Sequence, residues 1–264
     1  AVANGALGRY ADALDDFERA AACFAANGQT IWTLLTANHH AALLVQLGQY
    51  ARAQQMIAAE AGAAHGIEAR RQMLRGRIQR ALGASSGAAA IETALAIVGP
   101  QGDHLVRMLV RLEATLAQDP VEGATVCAAL RSEAEAVGHV AVAARARVMR
   151  IDCLARAGAL GGERAELDAV AALLGHVQPA DTYLPEALCI VSRGYDALGA
   201  AAEADATLAQ AFAWAVQRAL PNVPAAFRES FLHRNAVNRE LVAAAGRRLG
   251  LRLPPAGSAR ITEQ

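Results

Sequence analysis

The sequence predicts an all-α protein: a superhelix of about six helical hairpins closed by a C-terminal helical cap. Three observations carry that expectation. Leu7-Gly8-Arg9-Tyr10-Ala11-Asp12-Ala13, followed by Phe17 and Ala20, returns forty residues later as Leu47-Gly48-Gln49-Tyr50-Ala51-Arg52-Ala53, and echoes again at Leu198-Gly199, Ala204, Leu208 and Ala211. A motif recurring at such a period is one supersecondary unit copied along a solenoid. About a quarter of the 264 residues are alanine and only 4% are aromatic. Alanine is the strongest helix former, and it lets helices approach closely. No sustained alternation of branched or aromatic with polar residues marks a strand.

The elements follow from where the chain is punctuated. Glycines or prolines at Gly28, Gly48, Gly83, Gly99-Pro100, Pro120, Gly138, Gly158, Gly161-Gly162, Pro179 and Gly199 stop helices or reverse the chain. Between them the pattern predicts helices at 9–27, 30–47, 50–65, 67–82, 86–98, 103–118, 121–137, 139–157, 162–174, 182–198 and 201–219. Leu34, Leu35, Ala41, Leu44 and Val45 recur at helical spacing, as do Leu105, Met108, Leu109, Leu112 and Leu116. The small residue facing the partner helix in each hairpin is assigned to Ala13, Ala53, Ala88, Ala124, Ala165 and Ala204. A hairpin alone leaves its apolar stripe open, so each unit is stabilised by the next. Residues 1–219 form the array. Two short helices, 224–234 and 236–249, form the cap, with Pro224 at a helix start, Asn235 as an N-cap, and Phe227, Phe231, Leu232 and Leu241 sealing the last repeat. Residues 250–264 read as a flexible tail.

Composition narrows function. The 25 acidic and 25 basic residues balance, which disfavours a nucleic-acid partner. Every non-histidine base is arginine, so neither a phosphate-loop lysine nor a Schiff-base lysine exists. No apolar run approaches the ~20 residues of a membrane span. Cys23, Cys127, Cys153 and Cys189 lie far apart and read as reduced core residues of a cytoplasmic protein. The start without methionine, inside what looks like a helix end, suggests a piece of a longer chain. His39-His40 point about 100° apart on a helix, unsuited to one metal. Ser85-Ser86-Gly87 reads as a turn and cap. Asp15-Asp16 and Glu133/Glu135 read as solvated faces, and Trp32 and Trp214 as core or inter-repeat packing. No catalytic residue, metal site or cofactor is predicted.

The pattern Leu-Gly-x-Tyr-x-x-Ala-x-x-x-Phe-x-x-Ala resembles the tetratricopeptide repeat. Here it comprises Leu7, Gly8, Tyr10, Ala13, Phe17 and Ala20, then Leu47, Gly48, Tyr50, Ala53 and Ile57. Glu60 departs from it, and the middle units lack Gly-x-Tyr. The longer period looks like the C-terminal solenoids of bacterial signalling ATPases. The closing stretch from Pro224 looks like the end of large bacterial transcriptional regulators. The resemblance implies a right-handed superhelix whose first helices line a concave groove. It places Asn38, Arg70, Arg77, Arg80, Glu113, Arg145, Asp152, Arg156, Arg193 and Asp196 in that groove. Arginine dominates the set and suits carboxylates and backbone carbonyls. The expected partner is therefore an acidic or extended protein segment, or another domain of the same full-length chain. The alternative is a sensor closing around a small molecule, marked by an enclosed apolar pocket with a few convergent polar groups. On the groove view, changing Arg70, Arg77 and Arg80 to alanine weakens partner binding without unfolding.

Overall fold

The computed structural model describes residues 1–58 and 64–254. Helices account for nearly all of the regular structure, and no strand occurs among the described residues. They run α1 Val2–Ala6, α2 Tyr10–Ala26, α3 Thr30–Gln46, α4 Tyr50–Met56, α5 His65–Ala81, α6 Gly87–Val98 and α7 His104–Ala114. They continue with α8 Pro120–Ala136, α9 Val140–Arg156, α10 Arg164–Leu174, α11 Leu184–Ala197, α12 Ala201–Phe212, α13 Arg228–His233 and α14 Ala236–Leu249. The hairpins stack so that α3, α5, α7, α9 and α11 lie side by side as an inner row.

Boundaries follow local chemistry. Asp103 caps α7 by accepting from the Val106 amide at 2.8 Å. Asp119 caps α8, accepting from Val121 and Glu122, with Pro120 at the first helical position. Asn235 caps α14, accepting from the Asn238 amide at 3.0 Å. The expected 50–65 helix is shorter: α4 stops at Met56, and 59–63 lie outside the described residues. The expected 201–219 helix widens into a π-helix over Ala213–Ala219. The expected 224–234 helix opens with a 3-10 turn, Ala225–Phe227. Of the tail, Leu251 and Leu253 pack half-buried against the core, while 255–264 lie outside the described residues.

Several expected packing positions move. Ala13, Ala53, Ala124 and Ala204 are buried, but Ala88 and Ala165 are exposed. At α5–α6 the close approach is made by Gly76 and Gly87; a Cβ on Gly76 would stand 2.9 Å from the Gly87 carbonyl. At α10 the buried residue is Leu167, which presses against Gly194 of α11. Trp32 is 54% exposed, stacked only on Phe24, whereas Trp214 is buried edge-on to Tyr183 at 5.5 Å. Cys23 is exposed rather than buried. Glu133 is not a purely solvated group, since it joins α8 to α7 through His104 at 2.6 Å and Arg111 at 3.1 Å.

The array does not remain open. The segment expected to seal the last repeat also meets the first ones. Phe231, fully buried, lies against Tyr10 with ring centroids 5.6 Å apart. The Ser230 hydroxyl donates to the Leu47 carbonyl at 2.8 Å, and Asn235 donates to the Gln46 carbonyl at 2.7 Å. Tyr50 donates to the Arg234 carbonyl at 3.2 Å. On the other side of the seam, Arg218 donates to the Leu7 carbonyl. One apolar core therefore runs from α2–α4 through α11–α14, and a second fills the middle hairpins around α6–α8. The superhelix closes end to start.

Gly48 sits at that seam with φ +69°, and an added Cβ would collide with the Ser230 carbonyl and the Asn235 amide nitrogen. Gly28 has nearly the same φ, +65°, with open space beside it. Gly28→Ala is expected to cost about 1 kcal/mol from its left-handed backbone alone. Gly48→Ala is expected to cost at least twice that, read as the difference in urea unfolding free energies. Equal losses would mean the seam adds nothing to stability.

Candidate functional site

Closure of the superhelix leaves a cavity of about 690 Å³ inside the ring. Its walls come from the inner helices, from α1 and α2 on one side of the seam, and from Trp214 and the start of α14 on the other. The loop between α10 and α11 crosses into it. Ala180 is fixed there by donating to the Ala141 carbonyl at 2.9 Å, and Asp181 adopts φ 50°, a left-handed conformation that aspartate tolerates.

The polar centre is an ion cluster among three inner helices. Arg70, Arg77 and Arg80 share one face of α5, seven and three residues apart. Glu113 of α7 is 3% exposed and accepts from Arg77 Nε at 2.9 Å and Nη2 at 2.8 Å, from Arg80 Nη2 at 2.8 Å, and from Arg145 Nη2 of α9. Arg70 grips both carboxylate oxygens of Asp181 at 2.9 and 2.8 Å, and Arg77 donates to the Asp181 carbonyl at 3.1 Å. The loop is thus bound to α5, more than a hundred residues away in sequence.

Electrostatics follows from this crowding. Burial alone would raise the Glu113 carboxyl, but Arg77, Arg145 and Arg80 outweigh it and hold it far below the ordinary carboxylate range. Asp181 is lowered in the same way, mainly by Arg70 and Arg77 against the effect of burial. Arg77 is raised because Glu113 and Asp181 overcome its desolvation. Arg145, in contrast, is lowered by burial and by the neighbouring Arg77 charge, and its Nη1 is buried without a partner. Glu186 of α11 has no hydrogen-bond or ion-pair partner for its carboxylate among the described residues. It is reached by water inside the cavity yet enclosed by protein, and that enclosure together with Glu113 raises its carboxyl. His39 is held neutral by burial and by Arg70.

Six of the ten residues expected in the groove line the cavity: Arg70, Arg77, Arg80, Glu113, Arg145 and Asp152. The other four lie elsewhere. Asn38 donates to the Ile67 carbonyl at 3.1 Å, stapling α3 to α5. Arg156 and Arg193 both pair with Asp152, and Asp196 pairs with Arg248 toward the outside. Asp181, Glu186 and His39 were not among the expected groove residues. Asp181 follows a proline in a loop that reads as a plain helix break. Glu186 sits in the first turn of α11, where a carboxylate is ordinary at a helix start. Arg70 and Arg77 are also not free donors awaiting a partner, since Asp181 and Glu113 already hold them. Removing Arg70, Arg77 and Arg80 together strips Glu113 of two of its three partners, so unfolding, not only weaker binding, is the physical expectation. Among the described residues no group of three or more His, Cys, Asp or Glu could hold a metal ion.

A buried carboxylate with three guanidiniums cannot lose its charge cheaply. Glu113→Gln leaves Arg145 and Arg77 largely buried, and Arg80 partly exposed, without their shared counter-ion and is expected to cost about 3–5 kcal/mol in urea unfolding. Arg193→Ala, at a 57% exposed pair, is expected to cost under about 1 kcal/mol. The pH dependence runs in opposite directions at two sites. Glu113 is depressed when folded, so its contribution is full above the unfolded carboxylate pKa and is lost as pH falls through the lower folded value. Glu186 is raised when folded, so its ionisation opposes folding above that raised value. Glu186→Gln therefore stabilises at pH 8, and the gain vanishes below the ordinary carboxylate range, read as the difference in melting temperature across pH.

No protein-family model, no curated protein and no solved structure matches this chain.

Proposed function

We propose that this chain is a non-catalytic, tetratricopeptide-like ligand-sensing domain that closes around a small molecule. On this view it belongs to a bacterial cytoplasmic regulator and controls an attached effector module. The observation that carries it is the partly open cavity of about 690 Å³ formed where the two ends of the superhelix meet. That volume falls in the range of small-molecule sites, roughly 300–1,000 Å³. Its surroundings are of the right kind: an aliphatic wall from Leu74, Leu105, Leu109, Leu116 and Met149, with a few charged groups converging on one region. A ligand touching both sides of the seam would bias the seam, and any domain joined to it would sense the difference.

The peptide-groove alternative loses support inside the ring. The α10–α11 loop occupies the concave face, where Asp181 and Glu113 hold Arg70 and Arg77, so an extended chain has no clear path along it. A protein partner is better served by the outer surface, where Ile31 and Trp32 are 58% and 54% exposed at the start of α3. A partner recognised there is the second reading.

The test is a neutral, environment-sensitive dye. 1-Aminoanthracene is expected to brighten on binding the wild-type domain. The brightening is expected to fall at least fivefold in Ala42→Phe and Ala236→Phe, two variants that fill the cavity from α3 and from α14. Circular dichroism confirms that each remains helical. Dye binding unchanged in both folded variants, or absent in the wild type, would end the small-molecule reading.

A further inference from the structure

The charges facing the cavity do not balance. Four guanidiniums, those of Arg70, Arg77, Arg80 and Arg145, stand against three carboxylates, those of Glu113, Asp181 and Glu186. Asp152 also lines the cavity, but its two oxygens are taken by Arg156 at 3.1 Å and Arg193 at 3.2 Å. His39 adds no charge. One positive charge is left over with Glu186 ionised, and two when it is protonated. The surplus belongs to a cluster in which Arg145 and Arg77 are largely buried and Arg80 is partly exposed, a setting that favours a further anion beside it.

Two guanidiniums at the cavity wall keep unused donors, one buried and one accessible. Arg145 is 4% exposed, lines the cavity, and keeps Nη1 buried without an acceptor. Arg80 spends only Nη2, on Glu113 at 2.8 Å. Its Nε and Nη1 remain as donors, and its side chain, part of the cavity lining, is 42% exposed. Both edges of the fork include Nη2, whose second hydrogen is uncommitted, so the edge turned away from Glu113 still offers two N–H groups to the two oxygens of a carboxylate. Next to these donors the wall is aliphatic: Leu105 and Leu109 lie on α7 before Glu113 and Leu116 in the 3-10 turn just after it, with Leu74 and Met149 also lining the cavity.

We infer that the cavity binds an amphipathic monocarboxylate, its carboxylate against Arg80 and the Arg77–Arg145 cluster and its hydrocarbon body along the α7 face. This rests on the cavity being a ligand site, as proposed above. Glu186 is the counterpart in this arrangement. Its unpaired carboxylate repels an incoming anion when ionised and can donate a hydrogen bond to it when protonated.

The test uses three probes of one chain length: octanoate, octanol and octylamine, titrated by calorimetry at pH 7.5. The protein carries Trp32→Phe, so that Trp214, which lines the cavity, is the only tryptophan and reports binding by fluorescence. Octanoate is expected to bind at least tenfold more tightly than octanol or octylamine. Arg80→Gln is expected to weaken octanoate about tenfold and leave octanol unchanged. Glu186→Gln is expected to tighten octanoate severalfold at pH 7.5, by removing the repelling charge. Octanol or octylamine binding as tightly as octanoate would overturn the inference, as would octylamine weakened by Glu186→Gln with octanoate unaffected. If 1-aminoanthracene binds but octanoate neither binds nor displaces it, the carboxylate assignment fails while the cavity remains a ligand site. If neither the dye nor any probe binds, both fail together.

Discussion

The interior of this molecule is organised around the need to neutralise one buried carboxylate. Glu113 lies at the centre of the inner row, and three guanidiniums from two neighbouring helices converge on it. Hydrophobic packing between alanine-rich helices is forgiving about rotation and sliding, because small side chains leave few distinctive shapes. A fork-shaped cation aimed at a carboxylate is not forgiving. The cluster therefore fixes how α5, α7 and α9 stand relative to one another. Through Asp181 it also draws the α10–α11 loop across the concave face. A buried ion pair is weak evidence for stability in itself, since desolvation offsets much of the Coulomb attraction. Its role here is in specifying register.

The second organising constraint is apolar. An open solenoid exposes the stripe of its first and last units, and terminal repeats are normally capped by polar faces. This chain instead lets the two unsatisfied ends cover each other. Tyr10, Leu47 and Phe231 end up fully buried although they belong to opposite ends of the sequence. The hydrogen bonds at the seam, from Ser230, Asn235 and Tyr50, run to main-chain carbonyls at helix ends, which otherwise lack intrahelical partners. The cavity exists because helices wide enough to pack in a ring cannot also fill its centre.

Much of the fold was legible in the sequence because helix stops are chemically local. A glycine or proline acts on the residues beside it, so the expected elements agree with the observed ones to within a few residues at most ends. The repeat positions were less legible where one small residue does another's work. Ala88 and Ala165 looked like contact positions by spacing, yet the close approaches come from Gly76 with Gly87 and from Leu167 against Gly194. Which of two facing helices supplies the small residue leaves no periodic trace. The site divides in the same way. Arg70, Arg77 and Arg80 were recognisable as one helical face. Their neutralisation by Glu113 and Asp181 was not, because the partners are 33 to 111 residues away. Closure itself was hidden: nothing in Leu47 or Ser230 announces a contact 183 residues apart.

That separation has a consequence for how the protein is made. Repeat arrays suit synthesis from one end, since each unit can settle on the one before it as the chain emerges. Here the first hairpins emerge with their seam face uncovered, and it stays so until the segment around Phe231 leaves the ribosome. At about 5–20 residues per second, the 183 residues between Leu47 and Ser230 take roughly 10–40 s to appear. Throughout that interval Tyr10 and Leu47 present an apolar face resembling the one Phe231 will offer. A second nascent chain on the same message offers its own Phe231 segment at the same moment, so closing within one chain competes with exchange between two.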